Sequence, residues 1–348
     1  MNKTQHPLAD DLDHTLEHTR ELWEELRGQR FFITGGTGFF GCWLLETFAW
    51  ANEKLNLGAS ALVLTRDPAA FQKKMPHLVA NSAIQFHSGD VRSFDFPSGH
   101  FSHVIHAATE ASAKLNAENP ALMFDTILAG TRHTLEFSRA CGARKFLLTS
   151  SGAVYGPQPP EITHIEEDDA GKIDPAILNS AYGQGKFAAE KFCRDFGRQH
   201  GMEIKIARGF AFVGPHLPMD THFAIGNFIN DAFHGRTIHI NGDGTPYRSY
   251  LYASDLAIWL WTILFRGPSL RAYNVGSGHA VTIAELATAV ESALETHGGV
   301  KILQAPKPGQ LPSRYVPSVQ RAEAELGLRE RVDLATAIKK TADWLRRS

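Results

Sequence analysis

Two side chains near the middle of the chain are spaced so that they could transfer a proton together. Tyr182 and Lys186 stand four residues apart, and a helix would place both on one face. A phenol is a weak base with an ordinary pKa of about 10, and a neighbouring ammonium group favours its ionised form. Ser151, upstream of this pair, could hydrogen-bond the reacting oxygen. A Tyr–Lys pair alone is common on helix surfaces, so the neighbouring motifs carry the prediction.

A glycine-rich segment earlier in the chain is typical of a phosphate-binding turn. Its glycines follow an apolar run at three-residue spacing, and a helical pattern begins directly afterwards. Glycine permits a tight strand-to-helix turn and a close approach to a pyrophosphate, while the helix N-terminus offers free N–H groups. The segment therefore predicts a dinucleotide site. Its residues are Gly35, Thr37, Gly38, Phe39, Phe40 and Gly41.

The residues after the second and third apolar runs bear on which dinucleotide binds. Arg66 could hold the 2′-phosphate of NADP, and Asp67 could be only a turn residue before Pro68. We therefore expect NAD or NADP, with NADP slightly favoured. Asp90 could accept a hydrogen bond from the adenine amino group, although a solvated turn aspartate fits its position nearly as well.

From residue 30 onward, short apolar runs alternate with longer helical patterns. Strands that helices cover on both faces are apolar throughout, and this alternation predicts a parallel sheet with right-handed crossovers. The fold class is therefore α/β, doubly wound, with a buried helix over 256–265 and a last amphipathic helix over 322–346. The predicted strands are 31–34, 61–65, 84–86, 104–107, 146–149 and 204–207.

Composition excludes several other classes. The 348 residues carry a formal net charge of −2, which lacks the basic excess of a duplex nucleic-acid binder. The three cysteines have no short spacing, and no apolar run reaches the roughly 20 residues that span a bilayer. We expect a soluble cytoplasmic protein that binds neither nucleic acid nor membrane.

Histidines and acidic residues do not add a metal site to this prediction. His103 and His106 would face opposite sides of a strand, so together with His100 they predict no shared metal. The acidic run 166–169 is expected to be a solvated face. We expect no metal.

The motifs together resemble the extended short-chain dehydrogenases/reductases, also called the NAD-dependent epimerase/dehydratase family. The resemblance runs from about residue 30 to the C-terminus. It rests on the segments 34–41, 106–108, 150–156, 182–186, 242–257, 273–278 and 314–318.

This resemblance implies a Rossmann domain, a smaller C-terminal α/β lobe that binds a nucleoside-diphosphate sugar, a homodimer and a place in cell-surface polysaccharide biosynthesis. Ser151, Tyr182 and Lys186 match the family's catalytic serine/threonine, tyrosine and lysine. The implied substrate contacts are Ser151, Asn227, Arg248 and Arg314, and the further cofactor contacts are Val91, Ala107, Ala108, Tyr182 and Lys186.

The expected domain organisation has three parts. Residues 1–27 form an N-terminal helical extension, laid against the main domain rather than reaching out as a dimerisation arm. Residues 28–207 plus 247–275 form the cofactor domain, and 208–246 plus 276–348 form the substrate lobe.

The chain departs from the family pattern at several positions. Gly152 and Ala153 stand where the 4,6-dehydratases have an Asp–Glu pair, and Ala153 also removes the glutamate typical of the decarboxylases. Neither side chain can transfer a proton, which disfavours the dehydratase mechanism. Ala211 and Ile127 stand where relatives often carry asparagine, so the substrate pocket is not a standard one.

Several functions remain open at this point. C4 epimerisation of a nucleoside-diphosphate hexose is the leading hypothesis, and an NADPH-dependent 4-keto reductase is its nearest alternative. A non-catalytic dinucleotide sensor or nucleic-acid-associated protein of the same fold is a second alternative. Reduction of a lipid or polyphenol ketone is a third, and it predicts no role for Arg248.

Overall fold

A seven-stranded parallel sheet lies at the centre of the protein. The computed structural model describes residues 6–109, 113–172, 180–219 and 223–347. The sheet strands are β1 (Arg30–Thr34), β2 (Ser60–Thr65), β3 (Ile84–Ser88), β4 (His103–His106), β5 (Lys145–Ser151), β6 (Glu203–Gly209) and β11 (Ala272–Val275), the intervening numbers belonging to short strands given below. Their order is β11-β6-β5-β4-β1-β2-β3, and every pair is parallel.

All six predicted strands are present, and their side chains alternate between two cores. Phe31 and Ile33 join the apolar cluster on one face of the sheet, whereas Phe32 joins the cluster on the other. Alternate residues of a strand point to opposite faces, so a strand covered on both sides must be apolar at every position. The doubly wound α/β prediction is confirmed.

Helices cover both faces of this sheet and build the smaller part of the molecule. They are α1 (Ala9–Thr19), α2 (Phe39–Leu55), α3 (Pro68–Lys74), α4 (Pro76–Val79), α5 (Ala113–Glu118), α6 (Pro120–Ala140), α7 (Ala181–His200), α8 (Ala224–Phe233), α9 (Ala253–Arg266), α10 (Ile283–Leu294), α11 (Gln320–Leu326) and α12 (Leu334–Arg347). Short 3₁₀ turns occupy Arg20–Leu26, Gly152–Tyr155 and Glu167–Lys172.

The smaller part has its own sheets and its own core. Its strands are β7 (Phe212–Val213), β8 (Ile238–Ile240), β9 (Tyr247–Arg248), β10 (Leu251–Tyr252), β12 (Val281–Thr282), β13 (Val300–Ile302) and β14 (Arg314–Tyr315). They pair as β10-β7, β12-β9-β14 and β13-β8. A separate apolar cluster joins α8, α10 and α12, so this region has its own packed interior.

Two helix predictions have different outcomes. The buried helix is confirmed, because residues 253–265 of α9 are all buried. The single helix predicted over 322–346 is wrong. The chain forms α11 and α12 instead, because Gly327 ends α11 in the left-handed conformation at φ +66°. At the other end of the chain, α1 packs against α2 and α9.

Candidate functional site

A large cleft opens at the carboxyl edge of the central sheet. Its volume is about 990 Å³, and it is lined from the ends of β1, β5 and β6, from the start of α7, and from residues 209–212, 216–218, 223–225, 248, 250 and 315. Parallel α/β sheets place ligands at this edge. Among the described lining residues there is no carboxylate, whereas Lys74, Lys186 and Arg248 supply positive charge. The cleft therefore suits an anionic ligand.

The glycine turn after β1 has the geometry that a phosphate cradle needs. Gly35 has φ +71°, and a Cβ there would lie 2.4 Å from the backbone of Ala107. A Cβ on Gly41 would lie 2.3 Å from the backbone of Gly36, so the turn closes tightly onto the start of α2. Gly38 precedes the first turn of α2, where the backbone N–H groups of a helix start can donate to a phosphate. These residues fit a dinucleotide pyrophosphate.

The predicted cofactor residues fall into two groups. Gly35, Gly38, Phe39, Phe40, Ala107, Tyr182 and Lys186 line the cleft. Thr37, Gly41, Arg66, Asp90, Val91 and Ala108 do not line it.

The residues after β2 and β3 have roles of their own. Asp67 caps α3 by accepting the Ala70 N–H at 2.9 Å, which leaves exposed Arg66 as the distinctive side chain at this strand end. Asp90 pairs with Arg92 at 2.8 Å, and this hydrogen bond lowers the Asp90 pKa to about 2. Asp90 is therefore an ionised acceptor that already has a partner.

The three predicted catalytic residues converge at one end of the cleft. Ser180 caps α7 through the Gly183 N–H at 3.1 Å, and this cap places Tyr182 in the first turn. Lys186 lies one turn later and is 3% exposed. Its Nζ donates to Thr109 Oγ1 and to the Thr149 carbonyl, both at 2.7 Å, and it lies 5.9 Å from the centre of the Tyr182 ring. The amine thus points inward.

Electrostatics at this site differ from the expectation in one respect. Burial lowers the Lys186 pKa to about 8. Burial also raises the Tyr182 pKa, and a hydrogen bond with Ser151 opposes that rise. The spacing of Tyr182 and Lys186 predicted a more acidic phenol, but in the protein alone desolvation of the phenolate has the larger effect on the Tyr182 pKa.

A second phenol, that of Tyr315, lies beside Ser151 and Tyr182. It was not among the residues predicted from the sequence. Tyr315 lines the cleft, and its ring packs 4.7 Å from that of Phe210. A hydrogen bond with Ser151 lowers the pKa of Tyr315, as it lowers that of Tyr182. Burial raises both pKa values and has the larger effect. A Cβ on Gly152 would lie 2.7 Å from the Tyr315 hydroxyl. The Tyr315 phenol therefore fills the space that a side chain at position 152 would need.

A buried ion pair supports the catalytic strand end from behind. Arg208 on β6 binds Glu190 through two hydrogen bonds, of 2.8 Å and 2.7 Å, and donates to the Tyr155 hydroxyl at 2.8 Å. Ser150 donates to the same carboxylate at 2.7 Å. Because Glu190 lies one turn after Lys186 on α7, this network fixes β5, β6 and α7 relative to one another.

The prediction of a solvated face over 166–169 is wrong for Glu167, which is buried. Glu167 is 5% exposed, and its carboxylate accepts the Asn274 N–H at 2.9 Å. Its backbone carbonyl accepts a hydrogen bond from Arg208 at 2.8 Å. This side chain is therefore part of the interior beneath the site.

The predicted substrate residues are only partly brought together. Ser151 and Arg248 line the cleft, and Arg248 also donates to the Tyr247 carbonyl at 2.7 Å. Arg314 stacks over the Tyr247 ring at 4.1 Å and does not line the cleft. Asn227, on α8, also lies outside the lining.

The histidines near β4 have separate partners. His103 Nε2 lies 2.9 Å from Glu25, and His106 Nδ1 lies 2.8 Å from the Thr34 hydroxyl. The two imidazoles therefore have different partners. In the part of the chain that the structure describes, no helix has the length and apolar character needed to cross a bilayer.

Comparison with known proteins places the chain among relatives. The model of the NAD dependent epimerase/dehydratase family matches residues 31–276. The chain belongs to this family. The resemblance to the extended short-chain dehydrogenases/reductases, and the Rossmann α/β fold that it implied, are thereby confirmed.

Individual members of the family are similar over most of their length. UDP-glucuronic acid decarboxylase 6 of Arabidopsis thaliana is 29% identical over 316 residues, which are 89% of this chain and 88% of that protein. The UDP-glucose 4-epimerase of Thermus thermophilus, solved in complex with NAD, has a TM-score of 0.74 and 28% identity over 91% of this chain and 99% of that one. A dTDP-glucose 4,6-dehydratase from Streptomyces venezuelae shows the same fold, with a TM-score of 0.75 and 23% identity over 91% of this chain and 97% of that chain.

Proposed function

We propose that this protein is an NAD(P)-dependent enzyme that epimerises C4 of a nucleoside-diphosphate hexose. The observation that carries the proposal is the convergence of Ser151, Tyr182 and buried Lys186 on a cationic cleft whose described lining has no carboxylate. Such a site can take a hydroxyl proton and hold an anionic diphosphate. It lacks a carboxylate for water elimination.

The residues divide the proton chemistry among them. Tyr182 takes the proton of the sugar hydroxyl, and Ser151 hydrogen-bonds the same oxygen as it becomes a carbonyl. Lys186 uses two N–H donors on Thr109 and Thr149, and its remaining donor can hold a cofactor ribose hydroxyl. When bound, a nicotinamide dinucleotide would accept the hydride of C4 and return it to the other face of the ketone, while Tyr182 gives the proton back to the oxygen. The positive charge of Lys186 and of an oxidised nicotinamide opposes the effect of burial on the Tyr182 pKa.

The substrate contacts are proposals from the same geometry. Arg248 faces the cleft and can hold the diphosphate with a fork of donors. Asn227 and Arg314 are weaker candidates for substrate contacts, because neither lines the cleft. Arg66 favours NADP, since Asp67 is engaged as a helix cap and Arg66 stands exposed at the same strand end.

Two other reactions at the same carbon have specific support. The similarity to a UDP-glucuronic acid decarboxylase favours decarboxylation of a 6-carboxylated sugar, against which Ala153 counts, since it removes the glutamate typical of decarboxylases. An NADPH-dependent 4-keto reductase is favoured by Arg66. The epimerase and the decarboxylase both begin with oxidation at C4, in which Tyr182 takes the hydroxyl proton, and they differ in what happens to the ketone. The reductase runs that step in reverse, so that Tyr182 donates a proton to the oxygen as hydride reaches C4.

Product analysis separates these reactions. Purified protein is incubated with UDP-glucose, UDP-galactose, UDP-glucuronate or a 4-keto sugar nucleotide, with NAD(H) or NADP(H) added in turn, and the sugars are identified by NMR. A C4 epimer formed without net loss of cofactor supports the proposal. Release of CO₂ with a pentose product establishes the decarboxylase, and stoichiometric oxidation of NADPH establishes the reductase.

Two variants test whether the site is catalytic at all. Tyr182→Phe is expected to lower turnover by about 10²–10⁴-fold, the usual range for loss of an acid–base group, with cofactor affinity nearly unchanged. Arg248→Ala is expected to weaken binding of the sugar nucleotide. Undiminished turnover in Tyr182→Phe contradicts the proposal. An unaltered cellular activity in that variant supports a non-catalytic sensor, and unchanged binding in Arg248→Ala supports a ketone substrate that carries no nucleotide.

We propose in addition that the enzyme is a cytoplasmic homodimer divided into the cofactor domain and substrate lobe given above. Light scattering on the purified protein tests the dimer. Limited proteolysis tests the boundaries, because cleavage is expected in exposed segments between the two parts.

A further inference from the structure

Three imidazole rings surround one buried carboxylate at a place that the proposed reaction does not use. Glu46, in the middle of α2, is 3% exposed. Its Oε1 lies 2.8 Å from His77 Nε2 and 3.8 Å from His216 Nε2, and its Oε2 lies 3.4 Å from His6 Nε2. These four residues come from the segment before α1, from α2, from α4 and from the loop after β7.

We propose that His6, Glu46, His77 and His216 form a binding site for a divalent transition-metal ion of the zinc type. Imidazole nitrogens and one carboxylate are a ligand set that such ions prefer. The ligand atoms of His6, Glu46 and His77 all lie within 4.8 Å of one another.

Tetrahedral coordination requires the side chains to move, His216 most of all. With metal–ligand bonds of about 2.0–2.2 Å, tetrahedral geometry separates neighbouring ligand atoms by about 3.3–3.6 Å. His77 and His216 lie 2.8 Å and 3.8 Å from Oε1 of Glu46, and His6 lies 3.4 Å from Oε2. His216 lies outside the group whose ligand atoms are all within 4.8 Å of one another, so its ring must move by about 1 Å or more to join the other three ligands.

His216 is the observation that points to a ligand rather than to a plain charge cluster. The residue is 9% exposed, and its Nε2 is buried with no hydrogen-bond partner in the described structure. A buried polar atom without a partner destabilises the folded protein. His6 and His77 would satisfy Glu46 by themselves, so a charge cluster leaves His216 unexplained. An ion gives its nitrogen a partner.

The four ligands are not expected to contribute equally. The Leu8 N–H donates to His6 Nδ1 at 3.2 Å. Coordination through Nε2 moves the proton of a neutral imidazole to Nδ1, so this contact is lost when His6 binds the ion. His6 is therefore the weakest of the four. Because His216 also lines the cleft, the ion would connect the N-terminal segment to the cleft wall.

Metal titration of the untagged full-length chain tests the site without reference to activity. After treatment with a chelator, Zn²⁺ binding is measured by calorimetry, and Co²⁺ binding by the visible bands of tetrahedral Co²⁺. The His77 side chain is 45% exposed, so His77→Gln is expected to keep the fold, which circular dichroism checks. The matched control is His18→Gln, in the separate group His14, Glu17 and His18 on α1.

We expect the wild type to bind an ion that shows tetrahedral Co²⁺ bands. His77→Gln should lower the affinity for that ion by more than about 100-fold, which exceeds the usual effect of losing only an outer-shell partner. His6→Gln should weaken it less, and His18→Gln should leave it unchanged. Absence of tetrahedral bands in the wild type, or equal affinity in His77→Gln and the wild type, would overturn the proposal.

Discussion

Replacing Lys186 by methionine is expected to reveal what the buried amine costs the fold. Burial lowers the pKa of Lys186 from 10.5 to about 8. Since one pKa unit corresponds to about 1.4 kcal/mol, keeping this charged amine inside destabilises the folded protein by about 3 kcal/mol at neutral pH. Methionine has a similar length and no charge, so it removes this cost together with the proposed catalytic function.

The sign of the pH dependence follows from the lowered pKa. Between pH 8 and pH 10.5 the unfolded chain binds more protons at this residue than the folded protein does, so the lysine contribution to stability becomes less unfavourable as pH rises. The cost falls to about 2 kcal/mol at pH 9. The free energy of unfolding of the wild type minus that of Lys186→Met should therefore increase by about 1 kcal/mol from pH 7 to pH 9.

Urea unfolding followed by tryptophan fluorescence at pH 7 and pH 9 measures this difference. Methionine leaves the Thr109 hydroxyl and the Thr149 carbonyl without their donor, which adds a cost of about 1–3 kcal/mol that does not depend on pH. The comparison between the two pH values is therefore decisive, not the value at either one. Lys191→Met, on the exposed side of the same helix, controls for the loss of a lysine. An identical difference between wild type and Lys186→Met at both pH values would refute the reasoning.

Three further substitutions probe the cradle, the buried ion pair and the second phenol. Gly35→Ala should weaken dinucleotide binding about tenfold to a hundredfold, because the alanine methyl group would lie 2.4 Å from the Ala107 backbone and such overpacking costs about 1–3 kcal/mol. Unchanged dinucleotide affinity, measured by calorimetry, would contradict this prediction. Arg208→Met should lower the free energy of unfolding by about 3 kcal/mol, because it leaves buried Glu190 with only the half-buried Arg194, at 3.2 Å, as a counter-charge. Adding Glu190→Met should recover much of that loss, and urea unfolding of the single and double variants decides. Tyr315→Phe should lower kcat/KM by about tenfold or less, which corresponds to the loss of one hydrogen bond. In the same steady-state assay Tyr182→Phe should lower kcat/KM far more. Equal decreases in the two variants would make Tyr315 a second acid–base group.

Features that depend on neighbouring residues could be predicted from the sequence. The Tyr182–Lys186 spacing and the glycine turn are each contained within a few residues, and the strands are visible as apolar runs. Their chemistry follows from local geometry, since a helix brings residues four apart together and a turn needs glycine where φ is positive. The break between α11 and α12 also had a local signal, Gly327, which is typical of a helix end.

Features assembled across long sequence separations could not be predicted in this way. Tyr315 reaches Ser151 from the far end of the chain, and Glu167 is buried only because Asn274 and Arg208 lie beside it. The raised pKa of Tyr182 depends on how much of the protein surrounds the phenol, which residue spacing does not reveal. The cluster around Glu46 joins positions 6, 46, 77 and 216, so no local motif marks it.

The contact between position 152 and Tyr315 constrains how this active site can change. Any side chain at position 152 would begin 2.7 Å from the phenolic oxygen and 2.8 Å from the Phe210 ring. Introducing an aspartate there, to install an elimination step, would cause a steric clash before any new reaction could occur. A laboratory or evolutionary path toward dehydration would therefore need the Tyr315 and Phe210 side chains to shift or to be replaced by smaller ones. Positions 152, 210 and 315 are thus expected to change together.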